Sequence, residues 1–221
     1  MFPRRESIFL EIFLFHLSGV LGWRWGVSYA PQEVCVVAGS SIYVDCTYTY
    51  PQNLEVETTF WYRGCSIDAS PEDLSQDEQF KGRVEYLGDE INNCSLRIRD
   101  LRESDDAEYC FRFITDKWWG KWSGKPGVAL SISDLQVLVA PGKVTEGNRV
   151  TLTCNATCSL SNDPTYIWYK RAVILTSNFT TGNNTLTLDP VSSEDAGSYS
   201  CAVRGQEDHP SPAVTLSVRC M

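Results

Sequence analysis

The sequence predicts an all-β protein made of two β-sandwiches in tandem. From about Val34 onward, short runs rich in Val, Ile, Thr and Tyr alternate with turn residues, and no helical period is sustained. The chain also repeats itself: a run that ends in cysteine, a run that contains a tryptophan, and an acidic turn followed by a tyrosine each occur twice. A repeated set of strands indicates two units of one architecture.

Each unit contains strand signals in the order B, C, E and F. The first unit reads "SSIYVDC", "FWYRG" and "CSLRIRDLRESDDAEYCF", and the second reads "RVTLTC", "IWYKR" and "NTLTLDPVSSEDAGSYSC". Strands of this kind around a core tryptophan are typical of immunoglobulin sandwiches. We therefore predict one immunoglobulin domain over residues 23–134 and a second over residues 135–221.

The two units differ in length between strands C and E. In the first unit, the residues between Trp61 and Arg83 leave room for the C′ and C″ strands of a variable-type domain, whereas the second unit has little room and is constant-like. Arg83 and Asp105 are also spaced for the salt bridge that commonly closes one end of a variable-type domain.

Several features predict export from the cell. Arg4 and Arg5 precede the apolar run "IFLEIFLFHLSGVLG", which has the form of a secretory signal peptide over residues 1–22. Nine cysteines favour an oxidising compartment. No later run is long and apolar enough to span a bilayer, so we expect a secreted protein, or the extracellular part of a plasma-membrane receptor anchored through sequence outside this chain. Four glycosylation sequons fit this expectation, at Asn93, Asn155, Asn178 and Asn183.

Strand parity predicts which cysteines meet in the core of the first domain. Side chains alternate between faces along a strand. Cys46 shares a face with Ile42 and Val44, and Cys94 shares a face with Leu96 and Ile98, so both cysteines point inward and are predicted to pair. These strands are neighbours in one sheet, so the bond does not join the two sheets.

Strand F of the first domain carries a phenylalanine at the position where a sandwich usually has its second core cysteine. Tyr109, Phe111 and Phe113 face the core by parity, which turns Cys110 and Arg112 outward. Phe111 therefore fills the space of the missing inter-sheet bond with apolar bulk.

The second domain keeps the usual core pair, Cys154 with Cys201, around Trp168. The pairing of the other cysteines stays open on spacing alone. Cys65 ends strand C and could reach Cys110 on strand F, and Cys158 could reach Cys35 in the first domain. Cys220 is then the odd one. These remaining cysteines are Cys35, Cys65, Cys110, Cys158 and Cys220.

Together these residues resemble the sialic-acid-binding immunoglobulin-like lectins, the Siglec or sialoadhesin family, and in particular the short Siglec-like B-cell receptors. The resemblance rests on four motifs: "YCFRF" on strand F, "WGVS" at the start of the first domain, "CTYTYP" after strand B, and "TCNATC" in the second domain. It implies a variable-type first domain with a B–E disulfide, and an interdomain disulfide through the extra cysteine of "TCNATC".

The resemblance also implies a ligand and the residues that hold it. Arg112 matches the arginine that pairs with the carboxylate of sialic acid, and a guanidinium can donate two parallel N–H bonds to a carboxylate. Trp25 and Trp122 match the tryptophans that pack on the N-acetyl methyl group and on the glycerol tail, although Trp118 or Trp119 could replace Trp122. Backbone groups near Val128–Leu130 are expected to bond the ligand, as an edge strand can.

Other functional classes have less support. A net charge of -9 argues against nucleic-acid binding. Catalysis and metal binding are not expected, because His209 is the only histidine after the predicted signal peptide and the cysteines are expected in disulfides. No cofactor is expected. The expected partners are sialylated glycans, and the alternative is an adhesion or inhibitory receptor that binds a protein through its tryptophan-rich loop.

Overall fold

The computed structural model describes residues 25–66, 71–161, 163–175, 180–181 and 184–220. The predicted signal peptide and two of the sequons, Asn178 and Asn183, lie outside these residues. The described residues contain β-strands and three short 3-10 turns, at Leu74–Gln76, Glu103–Asp105 and Ser193–Asp195, and no α-helix. The all-β prediction is confirmed.

Nine strands of the described residues form the first domain. In chain order they are β1 (Gly26–Ala30), β2 (Glu33–Val37), β3 (Ile42–Thr49), β4 (Val56–Arg63), β5 (Val84–Tyr86), β6 (Leu96–Ile98), β7 (Ala107–Thr115), β8 (Lys121–Ser123) and β9 (Val128–Ser133). One sheet has the order β1-β3-β6-β5, and the facing sheet has the order β2-β9-β7-β4 with β8 paired to β7. These are the two layers of an immunoglobulin sandwich.

Ten strands of the described residues form the second domain. They are β10 (Leu135–Ala140), β11 (Val144–Thr145), β12 (Val150–Ala156), β13 (Tyr166–Lys170), β14 (Val173–Ile174), β15 (Thr180–Thr181), β16 (Thr185–Leu188), β17 (Gly197–Val203), β18 (Val214–Leu216) and β19 (Val218–Arg219). The sheets have the orders β10-β12-β16-β15 and β14-β13-β17-β18, and β11 pairs with β19. Strands β14 and β15 have two residues each, which fits the limited room between strands C and E.

The C′ and C″ strands expected in the first domain are not present in the described part of that segment. Residues 64–66 and 71–83 contain a single 3-10 turn, which buries Leu74. Asp73 caps this turn by accepting a hydrogen bond from the Ser75 N–H at 2.9 Å. The length of this segment left room for two more strands, but its described residues do not form them.

The core of the first domain follows the period of two in strand β3. Ile42, Val44, Cys46 and Tyr48 are buried and the residues between them are exposed, because successive side chains point to opposite faces of a sheet. The predicted ion pair closes one end of this core. Both oxygens of the Asp105 carboxylate accept from Arg83, at 2.7 and 3.0 Å, and both side chains are almost fully buried.

The four disulfides of the structure include both core pairs, Cys46–Cys94 and Cys154–Cys201, with Cα separations of 4.7 and 6.1 Å. The open alternatives resolve as Cys65–Cys110 and Cys35–Cys158, and Cys220 is free and exposed.

The bond from Cys35 to Cys158 joins the two domains. Its position is supported by Ser161, whose backbone N–H donates to the Cys35 carbonyl at 2.9 Å and whose hydroxyl accepts from the Cys35 N–H at 3.2 Å. At the same end of the first domain, Gly39 packs directly on the ring of His209, and a Cβ on Gly39 would lie 2.0 Å from the His209 Nε2. The end of the first domain that carries Gly39 thus faces the second domain.

Candidate ligand-binding site

Arg112 lies in the middle of strand β7, on the outer face of the sheet. The register places it opposite Phe60 of β4 on one side and opposite Ser123 of β8 on the other. Its neighbours along the strand, Phe111 and Phe113, are fully buried in the core. Phe111 thus occupies the inner position predicted from strand parity, and Arg112 points the other way because the side chains alternate.

The Arg112 guanidinium is partly exposed and holds one weak contact, an Nη1 hydrogen bond to the Ser123 hydroxyl at 3.5 Å. Among the described residues, no Asp or Glu forms an ion pair with it. A guanidinium without a carboxylate partner can donate two hydrogen bonds to an acidic group of a ligand.

The strand next to β7 is interrupted beside Arg112. Residues 121–123 pair with β7 as β8, residues 128–130 of β9 also pair with it, and the chain leaves the ladder between them. Tyr29 spans the gap: its hydroxyl accepts from the Phe111 N–H and donates to the Gly124 carbonyl, both at 2.9 Å. Burial raises the pKa of Tyr29 far above its usual value, so the hydroxyl remains a donor at any physiological pH.

The pairing of β9 corrects the expectation for two of the residues Val128–Leu130. Ala129 and Leu130 pair with β7 on one side and with β2 on the other, so their backbone is already used in the sheet, whereas the register pairs Val128 with Tyr109 of β7. The edge of this sheet beside Arg112 is β8, whose residues pair with β7 alone among the described strands. Backbone groups of residues 121–123 are therefore the ones at the open edge.

The disulfide Cys65–Cys110 lies two residues before Arg112 on the same face. Cys110 points outward by parity, yet it is fully buried, because Gly127 packs over it. A Cβ on Gly127 would lie 2.7 Å from the Cys110 sulfur and 2.3 Å from the Tyr109 carbonyl, so only glycine fits there. Cys110 is therefore covered by this turn and is not part of the surface that a ligand would meet at Arg112.

Three of the four candidate tryptophans form one cluster. Trp25 stacks on Trp122, with ring centroids 6.1 Å apart, and it meets Trp119 edge-on at 6.4 Å. Trp25 also stacks on Phe113 at 5.6 Å. Trp118 is 87% exposed and stacks on no described aromatic ring.

This cluster lies on the inner side of the β7–β8 hairpin. Trp122 is directly opposite Phe113 in the register, and residues opposite each other share a face of the sheet. Trp25 and Trp122 consequently stack on each other over Phe113. Their location shows an aromatic surface at the border between the two sheets, next to the strand that carries Arg112.

Two residues of this arrangement were missed in the sequence. Tyr29 gave no signal, because its role depends on a gap between β8 and β9 that only the tertiary structure shows. Gly127 could have been suspected from the run "SGKPG", in which two glycines flank a proline, a pattern that marks a break in a strand.

A further group of potential metal ligands consists of Cys65, Glu108 and Cys110. Both cysteines are in a disulfide, so neither offers a thiolate, and Glu108 accepts from the Gly127 N–H at 2.8 Å. These contacts stabilise the turn beneath Arg112 and do not form a metal centre.

The sequons differ in accessibility. Asn155 is exposed on β12. The Asn93 amide is partly buried: it donates to the Leu87 carbonyl at 3.4 Å and accepts from the Ser95 N–H at 3.0 Å. In the described part of the chain, no helix has the length and hydropathy needed to cross a membrane.

Comparisons with known proteins bear on the fold and on the sequence relationships of the chain. Residues 36–134 match the family model described as "B-cell receptor CD22-like, first Ig-like", and residues 136–204 match the "Immunoglobulin domain" model. The chain is 30% identical to the mouse myeloid cell surface antigen CD33, over 79% of this chain and 47% of the mouse protein.

Two human proteins give similar matches. Sialic acid-binding Ig-like lectin 8 is 27% identical over 86% of this chain and 43% of its own length, and lectin 6 is 27% identical over 78% and 40%. The chain therefore spans less than half the length of these relatives. None of them is named as an enzyme, in agreement with the expectation of a non-catalytic protein.

A solved structure shares the fold alone. The three N-terminal domains of the bacteriophage RB49 Hoc capsid protein match 89% of this chain and 59% of the phage chain, with a TM-score of 0.54 and 14% identity. The sequence comparisons are more specific than this structural match. The chain is a two-domain immunoglobulin protein related in sequence to the sialic-acid-binding immunoglobulin-like lectins.

Proposed function

We propose that this protein is a cell-surface or secreted lectin whose first domain, residues 23–134, binds terminal sialic acid on glycoproteins or glycolipids. The observation that carries the proposal is the Arg112 guanidinium, which lies on the outer face of β7 beside an open strand edge. Its single hydrogen bond, to Ser123 at 3.5 Å, is at the limit of a hydrogen bond and is easily replaced by a carboxylate.

The charge around Arg112 favours an anionic ligand. Residues 112–127 contain four cations, Arg112, Lys117, Lys121 and Lys125, and one carboxylate, Asp116. Lys117 is paired with Asp116 and lies near Glu55 and Glu57, so Arg112, Lys121 and Lys125 are the cations of this hairpin without an ion-pair partner among the described residues. The names of the human relatives, which describe them as sialic acid-binding lectins, support a sialylated ligand.

Affinity for one sugar should be low. An exposed ion pair contributes about 0–1 kcal/mol, so apolar contacts must supply the rest. The exposed parts of Trp122 and Trp119 are the available apolar surface next to β8. Adhesion would then depend on many copies on facing cells, and the second domain, held by the Cys35–Cys158 bond, would serve as a rigid spacer.

The first test replaces Arg112. Arg112→Ala should abolish binding to sialylated glycans on an array, and Arg112→Lys should reduce it at least about tenfold, because an ammonium group cannot make the bidentate contact. Ser123→Ala is the matched control, since it removes the partner of Arg112 but leaves the guanidinium in place. Glycan binding by Arg112→Ala equal to that of the unchanged protein would reject the lectin mechanism.

A second test separates the lectin from a receptor for a protein ligand, which the exposed tryptophans would also suit. Sialidase treatment of target cells should remove binding if the ligand is a sialylated glycan. Undiminished binding to treated cells would favour a protein ligand on the same domain.

A further inference from the structure

The chain beside β7 changes register next to Arg112. Ser123 of β8 lies opposite Arg112, and Val128 of β9 lies opposite Tyr109. Between these two pairs β7 passes two residues, 110–111, whereas the neighbouring chain passes four, 124–127. Strands β8 and β9 are therefore shifted by two residues relative to each other, and the extra residues form a bulge beside the guanidinium.

This shift decides which residue faces Arg112. If the register of β9 continued along β7, residues 124–127 would join the ladder and Lys125 would lie opposite Arg112. Ser123 would then move to a position opposite Ile114. In the observed register the Ser123 hydroxyl accepts a hydrogen bond from the guanidinium at 3.5 Å. The surroundings of Arg112 thus depend on β8 keeping a register different from that of β9.

The Tyr29 hydroxyl is inserted into the ladder at this bulge. Phe111 and Gly124 come next in the register of β8, and a hydrogen-bonded pair of an antiparallel ladder exchanges two N–H···O bonds. One bond is direct, from the Gly124 N–H to the Phe111 carbonyl at 3.0 Å. In place of the other, the Tyr29 hydroxyl accepts from the Phe111 N–H and donates to the Gly124 carbonyl, each at 2.9 Å.

The facing sheet sets the position of this hydroxyl. Tyr29 belongs to β1 and pairs with Cys46 of β3, so its side chain crosses the core from the opposite layer of the sandwich. The ring is buried and packs on Trp61, with centroids 5.4 Å apart. Gly124 permits the close approach, because a Cβ there would lie 2.3 Å from the Tyr29 hydroxyl oxygen and 2.5 Å from the Val27 Cβ. The opposite layer therefore carries the group that joins the two strands at the bulge.

We propose that Tyr29 is a positioning residue of the Arg112 site, whose hydroxyl holds the register in which β8 lies beside the guanidinium. The inference rests on the proposed lectin function. Without the hydroxyl, the buried Phe111 N–H loses its acceptor, and the observed register competes with others along β7. A ligand then binds the fraction of molecules in the competent register, and the apparent affinity falls with that fraction.

Tyr29→Phe tests this role, because it removes one buried oxygen and keeps the ring. The full chain, purified from the medium of expressing cells, is titrated with sialyllactose of either linkage. Tyr29→Phe should raise the dissociation constant about tenfold, the effect expected for the loss of one buried hydrogen bond. Amide hydrogen exchange, which needs no ligand, should become faster in residues 121–124 and stay unchanged in β3.

Tyr109→Phe is the matched control. It removes the same atom from a buried tyrosine of the first domain, whose hydroxyl donates to the Asp105 carbonyl at 2.7 Å, in the part of β7 that pairs with β9. Its sialyllactose binding and its exchange in residues 121–124 should match those of the unchanged protein. Equal binding, or equal exchange in that segment, for Tyr29→Phe and Tyr109→Phe would overturn the positioning role.

Arg112→Ala separates this inference from the lectin function. It should lose sialyllactose binding without faster exchange in residues 121–124, because the Tyr29 hydrogen bonds are intact. Binding retained by Arg112→Ala would reject the lectin function, and the exchange of Tyr29→Phe would still show whether the hydroxyl holds the register. Binding lost in Arg112→Ala but unchanged in Tyr29→Phe would reject the positioning role alone.

Discussion

The two domains are built on one plan but connect their sheets in different ways. In the second domain Cys154 of β12 and Cys201 of β17 join the two sheets across the core. In the first domain Cys46 and Cys94 belong to one sheet, and their Cα atoms are 4.7 Å apart, the spacing of neighbouring strands. The first domain therefore holds its sheets together without a covalent cross-link between them.

Aromatic packing takes the place of that bond. Phe111 contacts Tyr48 at 5.2 Å, Trp61 at 5.9 Å and Phe113 at 6.2 Å between ring centroids, so rings from both sheets meet on it. A second disulfide lies within the sheet that carries Arg112. The Cys65–Cys110 bond joins β7 to the segment directly after β4 and lies two residues before Arg112.

Other features are shared, which makes the differences informative. Tyr109 and Tyr199 occupy the same position, the third residue of strand F, and each hydroxyl donates to a backbone carbonyl four residues earlier at 2.7 Å. Such a tyrosine corner is common in immunoglobulin sandwiches. Since the corners are the same in both domains, differences in stability between them should come from the cores and from the ion pairs.

Removal of Phe111 should have the largest effect. Phe111→Ala leaves a cavity where the sheets meet and should destabilise the first domain by about 3–5 kcal/mol. Replacement of both Cys154 and Cys201 by Ala should cost the second domain a comparable amount, about 2–5 kcal/mol. Hydrogen exchange of core amides measures each domain separately. A cost below about 1.5 kcal/mol for Phe111→Ala would contradict the view that this ring replaces the inter-sheet bond.

The ion pairs should give the second-largest difference in stability between the domains. Arg83→Ala leaves the buried Asp105 carboxylate without its partner and should destabilise the first domain by about 3 kcal/mol. In the second domain, Lys170→Ala removes a longer and partly exposed contact to Asp195, at 3.8 Å, together with a hydrogen bond to the Glu194 carbonyl, and should cost about 1 kcal/mol. Equal costs in the two domains would show that burial does not set the strength of these pairs.

The Arg83 pair also predicts a pH dependence. Burial raises the pKa of Asp105, but hydrogen bonds from Arg83 and the Arg102 N–H outweigh it, so the pKa lies below its usual value. The contribution of this carboxylate to stability is complete above its unfolded pKa of about 4 and is lost as the pH falls through the lower folded value. Acid unfolding of the first domain should therefore be less steep in Asp105→Asn, and an unchanged profile would argue against this pair.

The core tryptophans should give the smallest difference in stability between the domains. The Trp61 Nε1–H donates to the Cys94 carbonyl at 2.8 Å, whereas the buried Trp168 Nε1 has no partner among the described residues. Trp61→Phe and Trp168→Phe remove the same atoms, but only the first breaks a hydrogen bond. Chemical denaturation should show that Trp61→Phe is more destabilising by about 1–2 kcal/mol. Equal effects would mean that the Trp61 hydrogen bond adds nothing to stability.

The sequence was sufficient for the architecture and for the position of Arg112. Alternation along β3 and β7 is a local property of extended chains, so it placed Cys46, Phe111 and Arg112 on the correct faces without any knowledge of the fold. The Arg83–Asp105 pair was predicted from spacing and is present. These features depend on neighbours along a strand or on recurring distances within one sandwich.

Tertiary contacts decided the surroundings of Arg112. Cys110 faces outward as predicted but is buried, because the turn at Gly127 folds over it. Trp122 faces Phe113 because the hairpin register places it there, and Trp25 reaches it from the other sheet. A local pattern specifies which side of a strand a residue occupies, but what covers that side depends on segments far away in the sequence. The sequence by itself therefore determined the two sandwiches and the outward arginine, and only the folded structure determined which side chains surround it.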